Sequence, residues 1–547
     1  YYGKGSTYPD VQGSVGILFE QASTRGKQVD TSFGKRTFIE GMLNHYRVSF
    51  STLRGAHEIQ DRLKAFRRRH DTDSMKNAAK GAWIVGDDRD PARVAHMLNV
   101  MAQHQIEIYR LDEDLTIDGQ RFTANEAWII PRQQRQALLV EAMFSRPTSF
   151  KDETFYDVSG FTLALAYDVP HKASRSVPAK GAAFDADHAV AKSSVSGALP
   201  IAFAVPWHQL HAPALLQQLT QNNVRVRIVT KATEVQTAQG GVALAAGDLL
   251  IPTGIQDDAQ AVQDELAQWL AGHPMVVHAI QQGRALSGPD LGSGSMRAAR
   301  KIRPAMVVGD GLNPYDAGEI WHLADQQLGL SLTRVEWYRL NRFPLDDYTH
   351  LLMVAGNYGQ LSEALKQKIT TWVKNGGHLV LTEGASTWSE SLPWGSKPDN
   401  GQAKEEGDDE RRPYGEFQAD QAERIIGGAI MNLDIDITHP LGYGLQRGEL
   451  PIMKNNLITL QMADNPYGTV AVYDENPLMA GYASTENREA LAGKAAITAS
   501  VVGSGRVIRF ADNPLFRGHW LGSSRVYVNA LYFSHLIQRT QLPKAPR

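Results

Sequence analysis

Short apolar runs alternating with polar, helix-periodic stretches occupy most of residues 80–390, and three stretches share one order. Segment A reads GAWIVGDDRDPARVAHMLNVMAQHQIEIYRL, then NEAWIIPRQQRQALLVEAMF. Segment B reads PIAFAVPWHQLHAPALLQQLTQNNVRVRIVT, then GDLLIPTGIQDDAQAVQDELAQWL. Segment C reads PAMVVGDGLNPYDAGEIWHLADQQLGLSLTRV, then YTHLLMVAGNYGQLSEALKQKITTWVKNGGHLVLTEG. Each runs strand, loop, helix, strand, then a further strand leading into a loop and a helix. The apolar runs Trp83–Val85, Ile201–Val205 and Ala305–Val308 are the first strands, and the helices carry apolar residues three and four apart. This alternation predicts α/β units on parallel sheets with right-handed crossovers, with strands near 82–86, 201–205 and 305–309.

Other patterns fill the rest. Val15-Gly-Ile-Leu-Phe19 reads as a buried strand ending at Glu20. Residues 49–73 place Leu53, Ile59, Leu63 and Phe66 at helical spacing, and Arg67-Arg-Arg-His70 reads as the basic C-terminal turn that suits the helix dipole. Residues 148–190 mix aromatic and β-branched residues with Pro, Gly and Ser, predicting irregular structure with a few short strands. Residues 396–416 are a charge run without apolar pattern, expected as a surface loop. Residues 431–445 and 468–484 read as short strands. Residues 494–518 read as two strands joined at Gly503-Ser-Gly505, and a last helix is expected over 524–539. The expected domains are 1–75, 76–195, 196–295 and 296–547, the last with a polar insert near 390–470.

Composition narrows the function classes. The 547 residues are 42% hydrophobic and 21% charged, with 48 Gly and 25 Pro, the make-up of a globular chain of several domains. A net charge of −3 gives no polyanion-binding surface, so nucleic acid is not an expected partner. No apolar run reaches the 18 residues that a membrane-spanning helix needs. Cysteine is absent, which excludes disulfides, thiolate metal sites and thiol nucleophiles. The chain starts at Tyr1 without an initiator Met or targeting segment, so it is expected to be the C-terminal part of a longer protein.

A carboxylate at the end of an apolar strand can act as a general base if positive charge faces it, or it can pair with a cation such as Arg25. The segment from Tyr2 through Gly3-Lys-Gly-Ser-Thr-Tyr-Pro-Asp10 to Gly16-Ile-Leu-Phe-Glu20 resembles the C-terminal part of the zinc carboxypeptidase family, carboxypeptidase A type. The resemblance covers residues 1–75. It implies a mobile substrate-closing tyrosine, for which Tyr2 is preferred and Tyr1 stays open, a substrate-binding Asp10, and Glu20 as general base. It also implies hydrolysis of C-terminal residues of peptide substrates by a zinc-bound water, with zinc as cofactor and a secreted or periplasmic location. The family's zinc ligands, a His-x-x-Glu pair and a later His, fall outside this chain. The longer arrangement looks like a group of large bacterial zinc carboxypeptidase-like proteins.

No substitute ligand set stands out. His104-Gln-Ile-Glu107 matches His-x-x-Glu in letters but lies downstream of Glu20, against the family order. His208-Gln-Leu-His211 lacks a carboxylate partner and reads as a helix-start pair. Segment C resembles the class I glutamine amidotransferase-like fold, a flavodoxin-type sheet. In that resemblance a Cys sits on a strained elbow after the strand His378–Thr382; here the elbow reads Thr382-Glu-Gly-Ala-Ser386, so thiolate chemistry is excluded and Ser386 is a weak alternative nucleophile. Gly309-Asp-Gly311 reads as a tight turn rather than a phosphate cradle. Ligands in such sheets bind beyond the carboxyl ends of the strands, which singles out Asp87-Asp88, Trp207-His208, Asp310 and Asn357. Arg509–Trp520 reads as a packed loop with Arg–Asp pairing, or as a second site. Two functions stand: part of a zinc metallocarboxypeptidase with accessory α/β domains, or an inactive binding or scaffold protein that uses segment C for a ligand or partner.

Overall fold

The structure, a computed structural model, describes residues 2–24, 26–151, 157–190, 194–394, 413–417, 421 and 423–540. Arg25, Tyr1 and most of the polar insert at 396–416 therefore lie outside the described residues. The class is α/β. The chain divides into two compact units: Tyr1–Ile84, Val100–Ser145 and Lys172–Phe184 form one, and Val85–Asn99, Arg146–His171 and Asp185–Arg547 the other.

The chain begins with a short helix α1 (Tyr8–Val11), then a hairpin of β1 (Gln28–Thr31) and β2 (Gly34–Thr37). Residues 15–19 are not the expected buried strand: they form no strand, and Val15, Ile17, Leu18 and Phe19 are exposed. Among the described residues no strand lies beside them to supply the ladder that burial requires. Two helices follow, α2 (Phe38–Glu58) and α3 (Gln60–Asn77), where one was expected over 49–73. The basic cluster sits inside α3, not at its end. Its charge has a local partner instead, Arg67 Nε lying 3.2 Å from Asp71 Oδ1 one turn on.

Segments A and B fold alike, but not as parallel sheets. In B, β10 (Ala202–Val205), α7 (Ala212–Gln221) and β11 (Arg227–Val229) are followed by a hairpin, β12 (Thr233–Thr237) and β13 (Gly240–Leu244). Then come β14 (Leu249–Pro252), α8 (Ala259–Gly272), β15 (His278–Ile280) and β16 (Met296–Ala298). The sheet order is β13-β12-β15-β10-β14-β11-β16, and β14 runs antiparallel to both β10 and β11. Strands one and two therefore point the same way, with strand three inserted between them: a split βαβ arrangement. In A, β3 (Ala82–Val85), α4 (Pro91–Gln103) and β4 (Tyr109–Leu111) precede a hairpin, β5 (Leu115–Ile117) and β6 (Gln120–Phe122). Next come β7 (Trp128–Pro131), α5 (Ala137–Phe144), a short α6 (Leu163–Ala166), β8 (His171–Ser174) and β9 (Lys180–Ala183). The order β8-β3-β7-β4-β9 repeats that of B, down to the extra edge strand after the fourth. The third strands match in text as well: WIIP and LLIP.

Segment C does form the expected parallel sheet. The strands β17 (Pro304–Val308), β18 (Thr333–Glu336), β19 (His350–Met353), β20 (His378–Thr382) and β25 (Gly505–Phe510) pair in parallel in the order β18-β17-β19-β20-β25. That is the 2-1-3-4-5 order of doubly wound sheets. Helices α9 (Pro314–His322), α10 (Glu363–Lys374) and α11 (Gly384–Ser389) link them. The region expected as a polar insert contributes β21 (Ala429–Ile435) and β22 (Glu449–Lys454), which with β23 (Thr469–Ala480) and β24 (Ala495–Val502) extend the sheet antiparallel to nine strands. Within the second unit, one continuous core joins B to C, including Phe203 and Leu216 from B and Val307, Leu352 and Phe510 from C. The helix Leu521–Tyr532 lies in that core with every residue buried. Its Asn529 is fully partnered: Oδ1 accepts from Trp207 Nε1 at 2.8 Å, and Nδ2 donates to the carbonyls of Leu441 and Tyr443.

Candidate site at the strand ends

β20 delivers the chain to Glu383, whose φ of 50° and ψ of −123° are rare for a residue with a side chain. The backbone around it is pinned. Glu383 N donates to Phe510 O (2.8 Å), and Ser386 N donates to Glu383 O (2.8 Å) as α11 begins. This strand–elbow–helix turn sets the Glu383 carboxyl at the carboxyl edge of the sheet, beside groups from neighbouring loops. Asn313 caps α9 through Tyr315 N (3.0 Å) and holds Asp316 Oδ1 (2.8 Å). Asn513, three residues past β25, also donates to Asp316 Oδ1 (3.3 Å), and Asn456 donates to Glu383 Oε1 (2.9 Å).

The Glu383 and Asp316 carboxyls lie close enough for the charge of Asp316 to act on Glu383. Asp316 Oδ2 is buried without a hydrogen-bond partner, and two neighbouring buried carboxyls disfavour ionisation of both. Burial, and then the charge of Asp316, pushes Glu383 up to about 8; burial also raises Asp316. Nearby, burial pushes Glu319 up to about 7 while it accepts from Asn513 Nδ2 and Arg517 N, each at 2.5 Å. Behind the pair, Lys454 Nζ contacts Asp512 Oδ1 (2.9 Å), and Tyr473 donates to Asp512 Oδ2 (2.5 Å); Lys454, Tyr473 and Asp512 are all buried. Such an array can hold and pass a proton near neutral pH, and it can accept hydroxyl or amine donors.

Ser386 is no nucleophile here: it is fully buried, its Oγ 2.8 Å from Phe510 O and 3.0 Å from Leu381 O, locking the elbow. The expected Arg–Asp pairing in 509–520 is also replaced. Asp512 pairs with Lys454, while Arg509 Nε donates to Ser389 Oγ (2.6 Å) and Arg517 faces Asp157 (3.5 Å). Asp310 is exposed, and its carbonyl accepts from Trp337 Nε1 (3.1 Å); Asn357 accepts from Gly359 N (2.9 Å). Trp207 is fully buried, His208 Nε2 lies 2.9 Å from Arg89 O, and Asp87 is buried beside an exposed Asp88. Sequence reasoning missed Asp316, Glu319, Lys454 and Asn456. The signal was present in Thr382-Glu383-Gly384, whose Glu holds the elbow position itself.

At the other end of the chain, Tyr2 and Glu20 are exposed. Asp10 Oδ1 accepts from Gly16 N (2.9 Å), tying the loop before Glu20 to α1. His104 Nδ1 meets Tyr8 Oη at 2.6 Å, and Glu107 accepts from Tyr109 Oη at 3.1 Å, so the two do not face a common ion. Among the described residues no group of three or more His, Asp or Glu side chains is placed to hold a metal, and none of their helices is long and apolar enough to cross a membrane.

No protein-family model matches the chain, and no curated protein matches it. Solved structures with some likeness include a β-galactosidase from Bacillus circulans sp. alkalophilus (12% identity, TM-score 0.25, 42% of this chain and 30% of that one). A ThuA-like protein from Bacteroides uniformis gives 11% identity and a TM-score of 0.25 over 42% of this chain and 89% of that one. A cytoplasmic protein from Salmonella typhimurium gives 10% and 0.24 over 42% and 99%. The chain thus spans less than a third of the β-galactosidase, and likenesses at this level carry no argument about what it does.

Proposed function

We propose that this chain is the C-terminal part of a zinc metallocarboxypeptidase, in which residues 1–75 complete the catalytic domain and the α/β modules are accessory. The observation that carries the reading is an apolar surface that no described residue covers. Val15, Ile17, Leu18 and Phe19 are exposed, and so are Phe38, Ile39, Met42, Leu43, Tyr46, Phe50 and Leu53 along α2. Large exposed apolar patches mark interaction surfaces, and this many exposed apolar side chains in so short a stretch favours one here. A further half of a peptidase domain would cover it and pair the run 15–19 as a strand. Zinc and its ligands would then come from that half, and this chain's own share is the base at Glu20, with Tyr2 and Asp10 toward a peptide substrate. Taken alone, the chain is expected to bind no stoichiometric zinc and cleave no peptide.

The test uses the gene product with all that precedes Tyr1. Glu20→Gln should leave zinc content and melting temperature unchanged and lower turnover of a peptide with a free C-terminus by about 10²-fold or more, the contribution of a positioned base. An unchanged rate overturns the assignment. A second reading rests on one feature: the elbow of segment C presents a carboxyl, Glu383, where its glutamine amidotransferase-like resemblance expects a thiol. That favours a binding module, and no hydrolysis by the full gene product would select it.

A further inference from the structure

The second unit contains a cavity of about 650 Å³ that none of the sites above uses. It is walled by α7 and α8 of segment B, by the turn after α9, and by the buried helix Leu521–Tyr532. That turn, Leu323–Leu328, is π-helical, a local widening often found where helices meet ligands. The volume falls within the range of small-molecule sites.

Two features of its wall set the ligand chemistry. The first is Arg525, only 5% exposed, which lines the cavity. Its Nη2 donates to Gln209 O (3.0 Å) and His208 O (3.3 Å), but its Nη1 has no acceptor. The neighbouring Asp90 carboxylate is already engaged by Arg93, whose Nε lies 3.0 Å from Asp90 Oδ2. Among the described residues Arg525 makes no ion pair of its own; its guanidinium lies over the Trp207 ring at 5.4 Å, with the Asp90 carboxylate acting on it from the Arg93 pair. Burial, and then Arg93, pushes Arg525 down to about 9, so it stays charged at neutral pH. Asp325, on the cavity wall, is exposed, and burial drops His211 and His519 to about 4, leaving both neutral. A buried, incompletely paired cation is costly and is relieved by an anion.

The second feature is an aromatic wall. Trp269 stacks on His273 (3.8 Å between centroids, 10° between planes), and His211 meets His273 edge-on at 5.2 Å. Trp269 Nε1 is buried without an acceptor. Both orphaned groups are donors, so the cavity asks for an acceptor-rich head on a flat apolar body.

We infer that this cavity binds a small organic carboxylate with an aromatic body, its carboxylate toward Arg525 and its ring against the Trp269–His273 wall. The site does not depend on what residues 1–75 do.

Titration calorimetry on this chain with benzoate, benzamide and inorganic phosphate tests it. Benzoate should bind at one site with a Kd of about 1 mM or tighter. Benzamide, with the same ring and no charge, should bind at least tenfold more weakly. Arg525→Met should weaken benzoate at least tenfold, and Trp269→Leu should weaken it while leaving the charge in place. If Arg525→Met fails to fold, the benzoate–benzamide ratio on the unaltered chain still decides. No benzoate binding, equal binding of benzamide, or phosphate binding as tightly as benzoate would each overturn the inference.

Discussion

Helix α2 and the helix Leu521–Tyr532 make opposite use of the same backbone. α2 has 21 residues and local support: Thr37 Oγ1 accepts from Glu40 N (3.2 Å), and Thr37 N donates to Glu40 Oε2 (2.8 Å), a complete capping box. Yet only Gly41 of it is buried. Leu521–Tyr532 has no side-chain cap, and all twelve of its residues are buried, Arg525 and Asn529 among them. One helix is written in its own text and stands largely exposed; the other is held by what surrounds it. Helix signal and burial are therefore separate properties, and most helical stability in a folded unit comes from packing.

The largest expected effect tests the buried helix. Asn529→Ala leaves the Trp207 indole N–H and the carbonyls of Leu441 and Tyr443 without partners inside the core. Urea unfolding should show a loss of roughly 3–5 kcal/mol, since each orphaned buried group costs about 1–3 kcal/mol. A loss under about 1 kcal/mol would mean that water reaches this helix. Next in size is the local device of α2. Thr37→Ala should cost about 1 kcal/mol, read as lower helicity by circular dichroism and a lower midpoint. The smallest effect is the sharpest test of the contrast. Leu53 is 67% exposed, so Leu53→Ser should change the stability of this chain by less than about 0.5 kcal/mol. If α2 is covered in the full gene product, the same substitution there should cost about 2–5 kcal/mol, as for a buried leucine. Equal costs in both would remove the ground for the proposed further half.

The three repeated segments show how far alternation alone can be read. Strand, helix, strand was correct in each, and the strands at 82–85, 202–205 and 304–308 stand where the apolar runs placed them. What the text could not separate was a crossover onto the adjacent position from a crossover that leaves room for a third strand. Both present the same apolar runs at the same spacing. The hairpins β5–β6 and β12–β13, lying between second and third strands, were the visible difference between A and B on one side and C on the other. A short hairpin reverses the chain, so the third strand must return antiparallel.

The site at the strand ends divides in the same way. The elbow after β20 and the richness of 509–520 were legible, because a strand running into a tight turn and a helix is a local pattern. That Glu383, rather than Ser386, faces the other carboxyl was not, since it depends on a φ of 50° at one residue. Nor could spacing bring Asp316, Lys454 and Asp512 together across nearly 200 residues. The sequence by itself determined the alternation of strand and helix in the three segments and the absence of thiol chemistry. Only the tertiary structure decided which strands are neighbours, which carboxyls are buried beside one another and which helix is swallowed whole. The reason is physical: periodicity and caps act over a few residues, whereas pairing, desolvation and charge neutralisation act between whichever groups the fold brings within a few ångströms.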